Sequence, residues 1–201
     1  MRVKVCGVTT VAQAEACADL GVDAIGVNLV PSSPRHVDEH VVAEIVRALR
    51  ARLLVVAVVA DRRPDDLRDL VRRTSVGCLQ LHGDESADDV RALLPHAYKA
   101  VHIGGPDDVQ TAESMPGEYL LVDSKVAGAL GGTGRTVDWG LVAPLARARR
   151  LVLAGGLTPD NVRLAIDAVR PWCVDVASGV ESAPGLKDLG KVRAFVAAAR
   201  A

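Results

Sequence analysis

One alternation constrains this chain more than any other feature: a short apolar run followed by a helical pattern, eight times over. The apolar runs predict strands at Val3–Cys6, Ala24–Val30, Leu53–Ala60, Cys78–His82, Tyr98–Ile103, Tyr119–Asp123, Leu151–Ala154 and Val174–Ala177. They read as strands without polar alternation, as in a parallel sheet covered by helices. Between and after them the periodicity predicts helices over Thr10–Leu20, Asp38–Arg50, Pro64–Arg73, Ala87–Leu94, Pro106–Ser114, Trp139–Arg147, Pro159–Val169 and Asp188–Arg200. Thr10 and Gln13 have the spacing of a capping box. Pro64, Pro106 and Pro159 stand near helix starts, where a missing N–H costs nothing. Strict βα alternation means a parallel sheet. A doubly wound open sheet is the alternative, but eight units with no long insertion favour an α/β (β/α)8 TIM barrel, one domain over residues 1–201.

Composition narrows the partners. With 201 residues the chain is at the short end for such a barrel, so little decoration is expected. Aromatic residues make up 2 %, so the core must be built from Val, Leu, Ala and Ile. A net charge of -1, from 24 basic and 25 acidic residues, argues against nucleic acid or a polybasic membrane contact. No apolar run reaches the ~18 residues of a membrane span, and the first residues enter a strand at once, without the pattern of a signal peptide. The four cysteines, Cys6, Cys17, Cys78 and Cys173, form no CxxC pair. Together these predict a cytoplasmic protein with reduced thiols.

Leu151–Leu164, LVLAGGLTPDNVRL, joins a buried strand to Gly155-Gly156 and a helix start. Thr158 reads as its N-cap, with Pro159 at the first helical position. Glycine lets a backbone approach an anion, and a helix N-terminus offers unpaired N–H groups. About 20 residues on, VDVASG (174–179) ends a second strand in Ser178-Gly179. Two such strand ends near the C-terminus match the phosphate site after strands 7 and 8 of a barrel.

In barrels the chemistry lies at the C-terminal ends of the strands. Those ends carry Cys6-Gly7, then Arg35, then Gln80, His82 and Glu85, then Asp123, then a GGTG loop containing Gly132, then Asp175. KVCGVTT (4–10), DAIGVNLVPSSPRHV (23–37), LQLHGDE (79–85), LLVDS (120–124), GGTGRTVDW (131–139), LAGGLTPDNV (153–162) and VDVASGVESAPGLKD (174–188) stand in this order over nearly the whole chain. In that order they resemble the successive motifs of the phosphoribosylanthranilate isomerase family.

The resemblance implies a TIM barrel and an Amadori rearrangement of N-(5′-phosphoribosyl)anthranilate in tryptophan biosynthesis. It also implies no metal and no organic cofactor, because the substrate nitrogen is the electron sink. Matched position by position, Cys6 is the general base and Asp123 the general acid. Arg35 and His82 line the anthranilate side. Read from its place in VDV, Asp175 either points into the mouth and touches the ribose hydroxyls or hydrogen-bonds the neighbouring loop. Gly132, Gly155, Gly156, Ser178 and Gly179 hold the phosphate. The implied partner is a small phosphoribosyl substrate, the protein being a monomer or homodimer.

Elementary chemistry bears on these roles. A thiol is a base only as thiolate, with an unperturbed pKa of ~8.5. A carboxyl acts as an acid near pH 7 only if burial or a neighbouring anion keeps it protonated. A guanidinium is always charged and binds a carboxylate with two prongs. Where the family has aromatic residues, this chain has Gly26-Val27-Asn28-Leu29 and Val58-Val59-Ala60-Asp61, which predicts a looser ring pocket and an Asn28 amide that needs a partner. Two rival readings remain. One is a related phosphosugar isomerase, whose histidine-pathway member has aspartate at the base position. The other is a non-catalytic phosphate-binding barrel.

Overall fold

The computed structural model describes residues 1–49, 52–124 and 138–201. Eight parallel strands pair in sequence order and close: β1 (Arg2–Cys6), β2 (Ala24–Asn28), β3 (Leu54–Val59), β4 (Cys78–Leu81), β5 (Ala97–Ile103), β6 (Tyr119–Ser124), β7 (Arg150–Leu153) and β8 (Cys173–Val176). Closure is made by β8 against β1, with Val3 opposite Val174 and Lys4 opposite Asp175. An open doubly wound sheet has no such pairing.

The helices are α1 (Val11–Asp19), α2 (Glu39–Leu49), α3 (Pro64–Thr74), α4 (Ala87–Leu93), α5 (Pro106–Ser114), α6 (Trp139–Ala148), α7 (Val162–Val169) and α8 (Leu189–Arg200). Predicted and observed ends differ mostly by a residue or two, as fraying ends do.

The strands alternate between two layers, because successive side chains point to opposite faces. Val3, Val5, Ile25, Val27, Leu79, Leu81, Leu120, Val122, Val174 and Val176 join the apolar layer packed under the helices. Val56, Tyr98, Ala100, Leu121, Val152 and Cys173 form a second, smaller cluster inside the barrel. The expected lack of polar alternation fails on five strands, where Lys4, Gln80, Lys99, Asp123 and Asp175 are buried. Lys4, Gln80 and Asp175 lie between apolar neighbours that face the helices. Polar groups thus occupy the middle of the barrel, above the inner cluster.

Local signals set most helix starts. The Thr10 side chain accepts from Gln13 N, but Gln13 Nε2 donates to Thr9 Oγ1 and Gly185 O. The reciprocal half of the predicted capping box is therefore not made. Ser86 and Asp89 do form one at α4. The start of α7 also differs from expectation. Asn161, not Thr158, is its N-cap, and Pro159 precedes the helix. The cause is the Asn161 side chain, which accepts from Thr158 N and donates to Gly156 O, closing a turn that delays the helix. After β8, a 3-10 turn at Ser178–Val180 leads into a short hairpin, β9 (Glu181–Ala183) and β10 (Leu186–Lys187), which periodicity does not reveal.

Phe195, the chain's one phenylalanine, lies fully buried on α8 and seals the helix layer. Phe195→Ala leaves a cavity that small neighbours cannot fill. It is expected to lower stability by about 3–5 kcal/mol, read as a shift in the urea unfolding midpoint at unchanged slope.

Candidate active site

A cavity of about 770 Å³ opens at the C-terminal end of the barrel. Its wall brings together Cys6 from β1, Arg35 from the loop after β2, His82 from the end of β4, Asp123 from β6 and Asp175 from β8. Gly155, Gly156 and Ser178 line the same cavity. Gly132 lies outside the described residues.

Gly26 on the neighbouring strand makes room for the Cys6 thiol: a Cβ there would stand 2.6 Å from Cys6 Sγ. Burial pushes the thiol above its ordinary value, opposed chiefly by Lys4, while Asp175 adds to the rise and Lys187 opposes it. Lys187 Nζ also donates to the Cys6 carbonyl at 2.6 Å. The two lysines favour the thiolate but do not outweigh its burial.

Lys4 is the hub of the barrel interior. Its ammonium donates to Asp175 Oδ2 at 2.6 Å and to Gln80 Oε1 at 3.0 Å. Burial alone would lower its pKa. Asp175 first, then Cys6 and Tyr98, outweigh that and hold it well above the ordinary lysine value. Tyr98 Oη donates to the same Gln80 oxygen at 2.9 Å. Gln80 Nε2 in turn lies 2.7 Å from His82 Nδ1. Asp175 Oδ1 is buried without a hydrogen-bond partner among the described residues, so an acceptor at the cavity wall awaits a donor.

Arg35 packs over Gly7, where a Cβ would come within 2.4 Å of Arg35 Cδ. Its Nε and Nη2 donate to the two Glu181 oxygens at 2.8 and 2.6 Å. Lys187 Nζ donates to Glu181 Oε1 at 2.6 Å. Burial works against the Glu181 charge, yet Arg35 and Lys187 hold its carboxyl below the usual range. The guanidinium keeps further N–H donors beyond these two. Arg35 is thus a braced cation at the mouth.

On the opposite side, His82 Nε2 stands 3.9 Å from Asp123 Oδ2, and the His82 and His102 rings lie 4.9 Å apart. His82 is pushed down to about 3, by burial first and then by His102, Lys4 and Lys99, so it is neutral at physiological pH. His82, His102 and Asp123 offer ligand atoms within 4.8 Å of one another, a spacing a metal ion could use. The charge pattern argues otherwise. Lys4 has only hydrogens to offer, so Gln80 must turn its oxygen there and its NH2 to His82 Nδ1. Nδ1 accepts, Nε2 carries the hydrogen, and no lone pair is left to face Asp123.

The phosphate-side loops fit closely. Gly155 and Gly156 have φ of +88° and +63°, in the left-handed region. Gly179 is packed against this turn: a Cβ on it would meet Leu157 O at 2.0 Å. The Asn28 amide finds its partner locally, its Oδ1 accepting from Val30 N at 2.8 Å. Asn28, Val58 and Ala60 line the cavity with small side chains.

Sequence reading missed Lys4, Tyr98, Glu181 and Lys187, and took Gln80 only as a strand-end residue. A signal was available for two: Lys4 and Gln80 interrupt apolar strands with the period of two that marks an inward face. The other three cysteines stay apart from the chemistry. Burial pushes Cys17 and Cys78 to about 11 and Cys173 to about 12.

A closed parallel barrel with a thiol, carboxyls and a glycine turn around one cavity at its strand C-termini defines an enzyme of the TIM-barrel class acting on a small molecule. A family model described as N-(5′-phosphoribosyl)anthranilate (PRA) isomerase matches residues 3–198. The N-(5′-phosphoribosyl)anthranilate isomerase of Myxococcus xanthus is 45 % identical over 100 % of this chain and 96 % of its own. The crystal structure of the Thermotoga maritima phosphoribosyl anthranilate isomerase superposes with a TM-score of 0.90 at 34 % identity, covering 100 % of this chain and 98 % of that one. A phosphoribosyl anthranilate isomerase crystallised with reduced 1-(o-carboxyphenylamino)-1-deoxyribulose 5-phosphate gives 0.86 at 32 %, with the same coverage. The chain belongs to the phosphoribosylanthranilate isomerase family. Among the described residues no helix is long and apolar enough to cross a membrane.

Because burial raises the Cys6 thiol, its thiolate fraction keeps growing through pH 9. Iodoacetamide labelling of the free protein, read at the Cys6 peptide by mass spectrometry, is expected to accelerate steadily through pH 9. A rate that levels off below pH 8 would contradict this.

Proposed function

We propose that this chain converts N-(5′-phosphoribosyl)anthranilate to 1-(2-carboxyphenylamino)-1-deoxyribulose 5-phosphate, an aldose-to-ketose isomerisation in tryptophan biosynthesis. The observation that carries the reading is Cys6 and Asp123 on one cavity wall, with the Gly155-Gly156 turn on the same cavity. An acid and a base reach a substrate between them, and a glycine turn takes its phosphate.

The residues divide the work as follows. The protonated Asp123 carboxyl gives its hydrogen to the ribose ring oxygen. The C1′–O4′ bond breaks, and the nitrogen lone pair forms the iminium. The Cys6 thiolate takes the C2′ hydrogen, and that electron pair becomes the C1′=C2′ bond of a neutral enolamine. The enol hydroxyl then gives its hydrogen to the Asp123 carboxylate and becomes the C2′ ketone as C1′ takes the hydrogen held by Cys6, so both residues return to their starting states. Atoms and electrons balance within the substrate, with its nitrogen as electron sink.

The iminium charge forms near the thiol and adds to Lys4 and Lys187 in favouring thiolate. Asp175 Oδ1, lacking a partner, takes a ribose hydroxyl. Arg35, aligned by Glu181, takes the anthranilate carboxylate. Gly155, Gly156, Ser178, Gly179 and, from outside the described residues, Gly132 form the phosphate cradle. The small side chains at Asn28, Val58 and Ala60 give the ring a loose seat.

Cys6→Ser and Asp123→Asn are each expected to lower kcat by about 10²–10⁴-fold, followed as the decay of substrate fluorescence. Both should still bind the reduced product analogue with little change in affinity, measured by calorimetry. Folded wild-type protein that binds inorganic phosphate as well as the analogue, and turns nothing over, would favour the non-catalytic barrel instead.

A further inference from the structure

The isomerase reading gives Asp123 a carboxylate to stabilise once its hydrogen has gone to the substrate. His82 is the group placed to do so, and its usefulness depends on which ring nitrogen carries the hydrogen. Nothing in its own loop decides that. The decision comes from the opposite side of the barrel.

Gln80 and His82 project into the barrel from the same face of β4 and the loop that follows it. The Gln80 oxygen is held by two groups, Lys4 Nζ at 3.0 Å and Tyr98 Oη at 2.9 Å. An ammonium has no acceptor, so an inverted amide would set NH2 against NH3⁺. Gln80 therefore has one stable orientation while Lys4 is charged, and Asp175 at 2.6 Å keeps it charged. Burial keeps the Tyr98 hydroxyl protonated, so it remains available to donate. The amide NH2 is left aimed at His82 Nδ1, 2.7 Å away.

We propose that Gln80 is a positioning residue: clamped by Lys4 and Tyr98, it holds His82 as the neutral Nε2–H tautomer and directs that N–H toward Asp123. The N–H lies 3.9 Å from Asp123 Oδ2, so a small approach makes the hydrogen bond when the carboxyl loses its hydrogen. The donor is set in place before the charge appears, which is how a site stabilises a developing anion without reorganising. His82 itself neither gives nor takes a hydrogen. Among the described residues, His102, Lys4 and Lys99 each disfavour a second hydrogen on its ring.

The test is ¹⁵N NMR of histidine-labelled protein, with the His82 signals assigned from His82→Asn. Wild type is expected to show a protonated Nε2 and an unprotonated Nδ1, unchanged from pH 5 to 9. In Gln80→Glu the carboxylate still pairs with Lys4 but accepts from His82, so the hydrogen should move to Nδ1 or His82 should become doubly protonated. The kinetic counterpart is a fall in kcat of about 10- to 100-fold with KM changed less than about threefold. Gln80→Met, which neither donates nor accepts strongly, should show both tautomers and an intermediate kcat. A wild-type ring protonated on Nδ1, or a Gln80→Glu ring that keeps its hydrogen on Nε2 alone, would overturn the proposal. The spectra need no turnover. Wild type that is inert but has the Nε2–H ring would sink the isomerase reading and leave the positioning role standing.

Discussion

The ion pair between Lys4 and Asp175 is the interaction on which the rest of this site depends. It stands where a barrel of this size ordinarily packs branched aliphatic side chains. With aromatic residues at 2 %, the inner cluster has little bulk, and an ammonium bonded to Asp175 and Gln80 fills the middle of the barrel. A buried pair of this kind gives little net stability, because the desolvation of both ions cancels most of their attraction. What it gives is orientation. One charge fixes the Gln80 amide, opposes the burial of Cys6, and leaves the second Asp175 oxygen buried without a hydrogen-bond partner among the described residues.

A second cluster repeats the device at the rim. Glu181 lies between Arg35 and Lys187, and Lys187 also reaches the carbonyl of Cys6. The hairpin after β8 thereby holds the loop after β2 and the end of β1 together. In the first cluster one ammonium sits between Asp175 and Gln80; in the second one carboxylate sits between Arg35 and Lys187. Arg35 keeps donors for an anion, and Asp175 keeps an acceptor for a hydroxyl. Catalytic groups at strand ends need such bracing, since the loops that follow have few apolar contacts to fix them.

What the sequence made legible follows from the range of each interaction. The strands and helices were readable because periodicity and caps act over a few residues, as at Ser86 or Asp188. The glycine turn at 155–156 was readable because left-handed backbone selects glycine. Thr158 was misplaced as a cap because the residue that decides the matter, Asn161, works through its side chain on the preceding turn rather than on its own helix. Lys4 bonds partners 76 and 171 residues away, and no local pattern reports such pairs. The barrel rule put Cys6 and Asp123 at one mouth, and the family resemblance singled them out as base and acid. For the Lys4 network the period of two marks Lys4 and Gln80 as inward-facing, but nothing local names the partners they meet.

The polar interior also explains why a cluster with a metal-like spacing behaves as something else. Two histidines and a carboxylate within 4.8 Å would suit a transition metal if His82 offered a lone pair toward Asp123. Metal-bound histidine usually donates its second N–H to an acceptor. Here the second nitrogen meets the NH2 of Gln80, and Gln80 cannot turn because Lys4 is charged. The same three side chains would therefore change character with one distant charge: beside a neutral residue at position 4 the amide could invert, Nδ1 could donate, and Nε2 would be open to a metal. The chemistry at the mouth of this barrel is set from its middle, two residues below the thiol on the first strand.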